Sequence, residues 1–192
     1  MVDVEKILSD TGALQTGHFI LTSGKHSGHY MQCAKITQYP DYTGQLCGML
    51  ADGFKGVSVD AVIGPATGGI IVAYELARQL NVKSLFAERE NGEMVLRRGF
   101  GINKGSKVIV AEDVITTGGS VKEVIGLVSG MGAEVVGVAV FVDRSMGKAD
   151  FGVKLVSCYK IDVLAYEPEN CPLCKEGSLP AGKPGSRGLQ KN

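Results

Sequence analysis

Thirteen residues, Val108 to Ser120 (VIVAEDVITTGGS), constrain this 192-residue chain more than any others. Val108 to Ala111 is a short apolar run, long enough for a strand buried on both faces of a sheet. Two acids follow, Glu112 and Asp113, and then a small loop rich in hydroxyls and glycine, Thr116 to Gly119. Ser120 and Glu123 stand three apart, the spacing of a capping box, and predict a helix with Ser120 as its N-cap. A strand that ends in such a loop at a helix N-terminus makes an anion site. Backbone N–H groups converge there, and the helix dipole favours negative charge. Gly118 and Gly119 let the backbone approach a phosphate closely. The two acids would repel a bare phosphate. They suit the hydroxyls of a ribose, or a magnesium ion that the ligand brings with it.

The rest of the chain fits around that unit. Val4, Ile7, Leu8 and Leu14 have roughly helical spacing and predict a short amphipathic helix over 4–14. Residues 17–24 read as a strand ending in a turn, and 29–34 as its hairpin partner. Pro40 and Asp41 start a helix with Leu46, Met49, Leu50 and Phe54 on one face. From residue 59 strands and helices alternate: a strand at 59–63, a helix at 70–80, a strand at 82–87, the central unit, a helix to about 130 and a strand at 135–142. This alternation predicts an α/β domain with a mostly parallel sheet, helices on both faces and sites at the carboxyl ends of the strands. From Glu167 onward the chain is rich in Gly, Pro and Lys and predicts irregular structure, at least at its end.

Composition removes several function classes. Lys plus Arg and Asp plus Glu balance at 20 each, whereas non-specific nucleic-acid binding needs a basic excess. The longest strongly apolar run, Val135 to Val142, is too short to span a membrane. The first residues lack the basic and apolar regions of a signal peptide. Five scattered cysteines, an odd number, fit a reducing cytoplasm better than a disulfide framework.

Two further segments carry candidate chemistry. Gly64 to Gly69 (GPATGG) is a second strand–glycine loop–helix and a second potential nest of N–H groups. Glu88 to Gly105 is long, polar and punctuated by glycine, with Arg89, Arg97, Arg98 and Lys104. It reads either as a solvated hairpin or as a mobile cover whose cations neutralise a departing anion and whose closure excludes water.

The 108–120 stretch resembles the phosphoribosyl-pyrophosphate (PRPP) signature of the type I phosphoribosyltransferases, an apolar strand, two acids, two apolar or small residues and a Thr/Gly loop. The resemblance implies the fold of that family, a mostly parallel twisted sheet flanked by helices. Residues 1–40 would form a small N-terminal hood, 41–166 the core and 167–192 a tail. It also implies roles. Glu112 and Asp113 hold the ribose hydroxyls, Val114, Ile115, Thr116, Thr117, Gly118, Gly119 and Ser120 cradle the 5′-phosphate, and Thr67 and Gly68 meet the pyrophosphate. Relatives often carry a lysine in that last loop, which this chain lacks. Many also carry an Arg-Lys pair in the mobile loop, where this chain has Arg89 and Glu90. The catalytic group carried over is therefore Asp113 with Arg89, and Arg97 by charge and place alone. Magnesium would arrive on PRPP, with no side chain as its direct ligand. The loop would close over the site, often onto the neighbouring subunit of a homodimer.

Within that family the hood is similar to that of the orotate-specific branch. Gly17 to Ser27 (GHFILTSGKHS) followed by Tyr30 matches its N-terminal stretch, and the resemblance covers roughly residues 5–165. Arg144, after Phe141-Val142-Asp143, stands where the branch binds the orotate carboxylate, and a guanidinium forks onto a carboxylate in two parallel bonds. Thr116 and Tyr30 join it, and Lys25 lies near a ligand-binding position in a different register. The partners implied are PRPP and orotate, in de novo pyrimidine synthesis. A plain ion pair of Arg144 with Asp143 is the bland alternative. A phosphoribosyltransferase for another base and a PRPP-sensing regulator are the rival readings. The regulator should carry a DNA-binding addition or a basic surface.

Cys171-Pro-Leu-Cys174 is half a zinc site, since structural zinc takes four ligands. Completion by a second copy, free thiols and a redox disulfide all remain open from sequence. Of His18, His26 and His29, at least two are expected on the hairpin surface. Gly177 to Lys183 approaches a phosphate-loop pattern but is followed by Pro184 and preceded by no strand, so it lacks the magnesium hydroxyl.

Overall fold

The computed structural model describes residues 2–21, 23–177 and 179–184. Helix α1 (Val4–Asp10) starts where the Asp3 carboxylate accepts the Lys6 N–H at 3.0 Å. It is shorter than its apolar spacing predicts. Gly12, at φ 62°, turns the chain, and Leu14 opens strand β1 (Leu14–Ile20) instead of closing the helix. β1 pairs antiparallel with β2 (His26–Met31), with a bulge between Thr16 and Phe19. The partner strand therefore starts earlier than the expected residue 29, and Cys33–Gln38 is a 3₁₀ turn. Helix α2 (Pro40–Gly53) follows with Pro40 in its first turn, where a missing N–H costs nothing.

The core runs β3 (Ala61–Pro65), α3 (Gly68–Leu80), β4 (Lys83–Glu90), β5 (Glu93–Val95), β6 (Lys107–Ile115), α4 (Gly119–Gly130), β7 (Glu134–Asp143) and β8 (Leu155–Lys160). Strand order in the six-stranded sheet is β5-β4-β3-β6-β7-β8, and every pairing but β4–β5 is parallel. The chain moves outward from β3 to β4 on one side and from β6 to β8 on the other. The switch point lies between β3 and β6, where an open α/β sheet places its ligand crevice. Strand β8 carries no apolar run. Its side chains are half-buried at the sheet edge, so the hydropathy pattern hid it.

One face of the sheet packs α2, α3 and the hood, through Leu46, Leu50, Val72, Leu76, Ile109 and Phe141. The other packs α4, through Val110, Val121, Val124, Val128, Val138 and Val140. Phe54, just past α2, is 2% exposed and lies against Gly137. A Cβ on that glycine would overlap the Phe54 ring, so the aromatic occupies the space Gly137 leaves open. Phe54→Ala opens a cavity at that contact. It should lower unfolding free energy by about 3–5 kcal/mol in urea denaturation, with the two glycine loops at the opposite end of the strands left in place.

Candidate active site

Both glycine loops leave the carboxyl ends of the two strands that flank the switch point. The first connects β3 to α3 and contains Thr67, which immediately precedes the helix, and Gly68, its first residue. The Ala66–Thr67 peptide is cis. The second connects β6 to α4. Helix α4 presses no side chain into its own cap. Gly118, at φ 75°, is the N-cap, and the first helical bond is the Lys122 N–H to the Gly118 carbonyl at 2.9 Å. Ser120 therefore lies inside the first turn, not at the cap, and Glu123 leaves the predicted capping box to pair elsewhere. A left-handed residue fitted the tight loop better than a serine could. Val114, Ile115, Thr116, Thr117, Gly118, Gly119 and Ser120 line one pocket of about 270 Å³ together with Glu112 and Glu123.

The acids sit within β6 itself, which runs on to Ile115 where an end at Ala111 was expected. The extension follows from β7, which pairs Glu112 with Val140, Val114 with Val142 and Ile115 with Asp143. Two consecutive strand residues point to opposite faces, and the fold keeps both near the loops. A Cβ placed on Gly68 would lie 2.7 Å from Asp113 Oδ1, and one on Gly69 would lie 2.7 Å from the Ala111 carbonyl oxygen. The start of α3 thus rests directly on β6, and the two loops meet at Asp113. Burial raises the Glu112 carboxyl to about 8, and the charge of Asp113 adds to the rise. Burial also raises Asp113, against hydrogen bonds to backbone N–H groups that favour its charged form. The Asp113 N–H donates to Glu112 Oε1 at 3.1 Å. Two desolvated carboxylates with spare acceptor capacity can take hydroxyl donors or sit beside a cation.

Arg144 follows β7 at the same end of the sheet, its N–H donating to the Ile115 carbonyl at 2.9 Å. Its Nε is buried and has no partner among the described residues. Burial lowers its affinity for its proton, while Cys33 and Tyr30 of the hood are near enough to push the other way. Among the described residues it makes no ion pair with Asp143, whose Oδ1 instead accepts the Ser145 N–H at 2.8 Å. The plain Asp143–Arg144 pair is therefore set aside. Tyr30 donates to Gln32 Oε1 at 2.8 Å. Cys33 was not singled out in sequence. Burial drives its thiol well up, with Asp113 raising it further and Arg144 opposing, so it lies within charge range of the acids and of Arg144. Lys25 is ion-paired with Glu167 of the tail at 2.9 Å.

The 88–105 segment opens as a hairpin of β4 and β5 turning at Asn91 and Gly92. Its arginines are paired: Arg89 with Glu123 at 2.6 Å, Arg97 with Glu90 at 3.2 Å and Arg98 with both Glu88 oxygens at 2.8 and 2.9 Å. Because Glu123 also lines the 270 Å³ pocket, Arg89 stands at its rim. A wider cleft of about 440 Å³, lined by Asp60, Lys83, Asn103 and Lys104, lies at the opposite end, where β3 and β4 begin. Phe151, from the segment before β8, backs the phosphate loop: a Cβ on Gly118 would meet its ring at 2.7 Å. No sequence signal marked Phe151, since its contact depends on tertiary packing alone.

A parallel sheet with two anion loops and two acids at its switch point defines a class of nucleotide-handling transferase. Residues 49–164 match the model of the phosphoribosyl transferase domain, and the chain belongs to that family. More particular likenesses lie within it. The chain is 58% identical to an orotate phosphoribosyltransferase of Desulforamulus reducens, over 96% of each chain. It is 59% identical to the orotate phosphoribosyltransferase of Caldanaerobacter subterraneus, over 97% of each. Among solved structures, the orotate phosphoribosyltransferase of Aeropyrum pernix superposes with a TM-score of 0.69 at 30% identity, covering 83% of this chain and 94% of that one.

The acid pair carries a pH-dependent cost. The folded protein holds a proton on Glu112 up to about 8, while the unfolded chain releases it near 4.5. A raised carboxyl stabilises fully below the unfolded value, and that contribution is lost as pH rises through the folded one. Glu112→Gln should therefore melt about 3–6 °C above the unmutated protein near pH 9, with the gap closing toward pH 5. Scanning calorimetry at both pH values checks the sign.

Proposed function

We infer that this chain is an orotate phosphoribosyltransferase, which moves the phosphoribosyl group of PRPP to orotate and releases pyrophosphate in de novo pyrimidine synthesis. The observation that carries the reading is Arg144, a half-buried guanidinium at the loop-bearing end of the sheet, near Cys33 and Tyr30 of the hood, whose Nε has no partner among the described residues. A planar donor fork in that position suits a carboxylate on a flat base. Identities of 58–59% to orotate phosphoribosyltransferases across nearly the whole chain agree with it.

In this reading the 114–120 loop takes the 5′-phosphate on backbone N–H groups and hydroxyls, and Thr67 with Gly68 takes the pyrophosphate. Glu112 and Asp113 accept the ribose hydroxyls. Their hard oxygen donors also fit a magnesium ion carried on PRPP, which would offset pyrophosphate charge when bound. Orotate lies under the hood, its carboxylate on Arg144, with Thr116 and Tyr30 beside it. N1 attacks the anomeric carbon from the face opposite pyrophosphate. The new N1–C1′ bond forms as the C1′–O bond breaks, the N1 proton is released to solvent, the configuration inverts and orotidine 5′-monophosphate results. The protein contributes position and fixed charge, with little covalent chemistry of its own. Arg89 leaves Glu123 for the departing pyrophosphate, and Arg97 adds charge as the 88–105 segment covers the site.

The assembly proposed is a homodimer. Ile71 and Tyr74 on α3 and Tyr39 before α2 are 45%, 62% and 46% exposed, apolar area that a second copy would cover. The cytoplasm is the proposed compartment. All five cysteines are free, as a reducing environment keeps them, and no described helix is long and apolar enough to cross a membrane.

Loss of orotate absorbance with magnesium and PRPP, run beside adenine, hypoxanthine, xanthine and uracil, tests the reading. Consumption of orotate alone is expected. Transfer to another base, or PRPP binding with no transfer, would overturn it. Arg144→Ala should raise the KM for orotate about 10- to 100-fold while leaving that for PRPP within about twofold. Equal losses for both substrates would remove Arg144 from the base site.

A further inference from the structure

The hood hairpin and the tail meet in a cluster that the phosphoribosyl chemistry does not use. His18 projects from the bulged part of β1, and His26 opens β2 as its diagonal neighbour on the same face. Both are buried, at 5% and 9% exposure, so the expected surface role holds only for the exposed His29. Cys171 and Cys174 come to the same point from the start of a short helix, α5 (Pro172–Glu176). His18 Nε2 lies 3.0 Å from His26 Nδ1 and 3.6 Å from each sulfur, and His26 Nδ1 lies 3.2 Å from Cys174 Sγ. All four atoms fall within 4.8 Å of one another.

We propose that His18, His26, Cys171 and Cys174 of a single chain bind one structural zinc ion. Two imidazoles and two thiolates form a tetrahedral donor set that suits zinc. With Zn–N near 2.0–2.1 Å and Zn–S near 2.3 Å, tetrahedral ligand atoms stand about 3.3–3.8 Å apart. The observed separations of 3.0–3.6 Å need only a small outward shift to meet that. The tautomer of His18 is already set. Its Nδ1 lies 2.9 Å from the Leu179 carbonyl and donates there, which leaves the Nε2 lone pair aimed at the centre of the cluster. A second hydrogen bond of this kind is the usual support of a metal-bound imidazole. The second half of the site is thus the histidine pair of the same chain, and no second copy is needed.

The ion would join two parts of the chain that, among the described residues, meet through the tail's contacts with the hairpin edges. A two-stranded hairpin is marginal alone. Here the tail lies along both of its edges. His26 and Tyr166 exchange two backbone hydrogen bonds at 2.8 Å, and Gly182 bonds Ile20 and His18 at 2.7 and 2.8 Å. Lys25 pairs with Glu167 nearby, and Leu173 packs on Gly28. Metal binding contributes folding free energy to such small units directly. It would fix the strand that presents Tyr30 beside Arg144.

The test is the metal content of the full chain purified under reducing conditions without chelator. About one zinc per chain is expected by mass spectrometry of the ion. Cobalt exchanged into chelated protein should show the visible bands and thiolate charge-transfer absorption of tetrahedral cobalt. Cys174→Ser, at an exposed position, should lose most of the zinc and that thiolate signature, while His29→Ala keeps both. Chelation of the unmutated protein should lower its Tm, and added zinc should restore it. Protein with no stoichiometric zinc and no tetrahedral cobalt spectrum overturns the proposal. So does a Cys171–Cys174 disulfide in the reduced preparation, or zinc retained in full by Cys174→Ser.

Discussion

The constraint on which the rest of this structure depends is the contact of α3 with β6. Gly69 would drive a Cβ to 2.7 Å from the Ala111 carbonyl, and Gly68 would drive one to the same distance from Asp113. Without side chains at these two positions, the helix starts directly on the neighbouring strand. That approach brings the end of the first loop against the acids of the second, so two separate βα turns become one crevice at the switch point. A methyl group there would part the loops by the width of the contact and leave each as an ordinary turn.

The same closeness explains the electrostatics. Burial raises both carboxyls, and the charge of Asp113 raises Glu112 further, so the pair is held at a cost to the fold. In the proposed reading, ribose hydroxyls or a cation would relieve that cost. Arg144 shows the reverse case. Its buried Nε lacks a partner among the described residues, and in the proposed reading an arriving carboxylate would supply one. The arginines of the 88–98 hairpin are already paired, and Arg89 would have to exchange Glu123 for any anion it meets.

Much of this was legible in the chain itself, because parallel strands buried on both faces leave apolar runs and glycine loops leave a local signature. Val108 to Ala111, Val135 to Val142 and the two glycine loops were readable for that reason. What escaped depended on neighbours. The acids became part of β6 only because β7 lies alongside, and β8 was invisible because an edge strand can be half-polar. Gly118 displaced Ser120 as the cap because Phe151 and the loop geometry demanded a left-handed residue without a side chain. His18 and His26 looked like surface residues of a hairpin, and burial came from a tail more than 140 residues further along.

The central claim is that one crevice holds all of PRPP, with the phosphate on one loop, the pyrophosphate on the other and the ribose between them on the acids. A crystal structure of the full chain with magnesium and PRPP tests it most directly. The account predicts the 5′-phosphate in the pocket of Thr116 to Ser120, the pyrophosphate against Thr67 and Gly68, and both ribose hydroxyls within hydrogen-bond reach of Glu112 and Asp113. A ligand seated instead in the cleft of Lys83, Asn103 and Lys104 at the other end of the sheet, or a ribose turned away from the two acids, would contradict it.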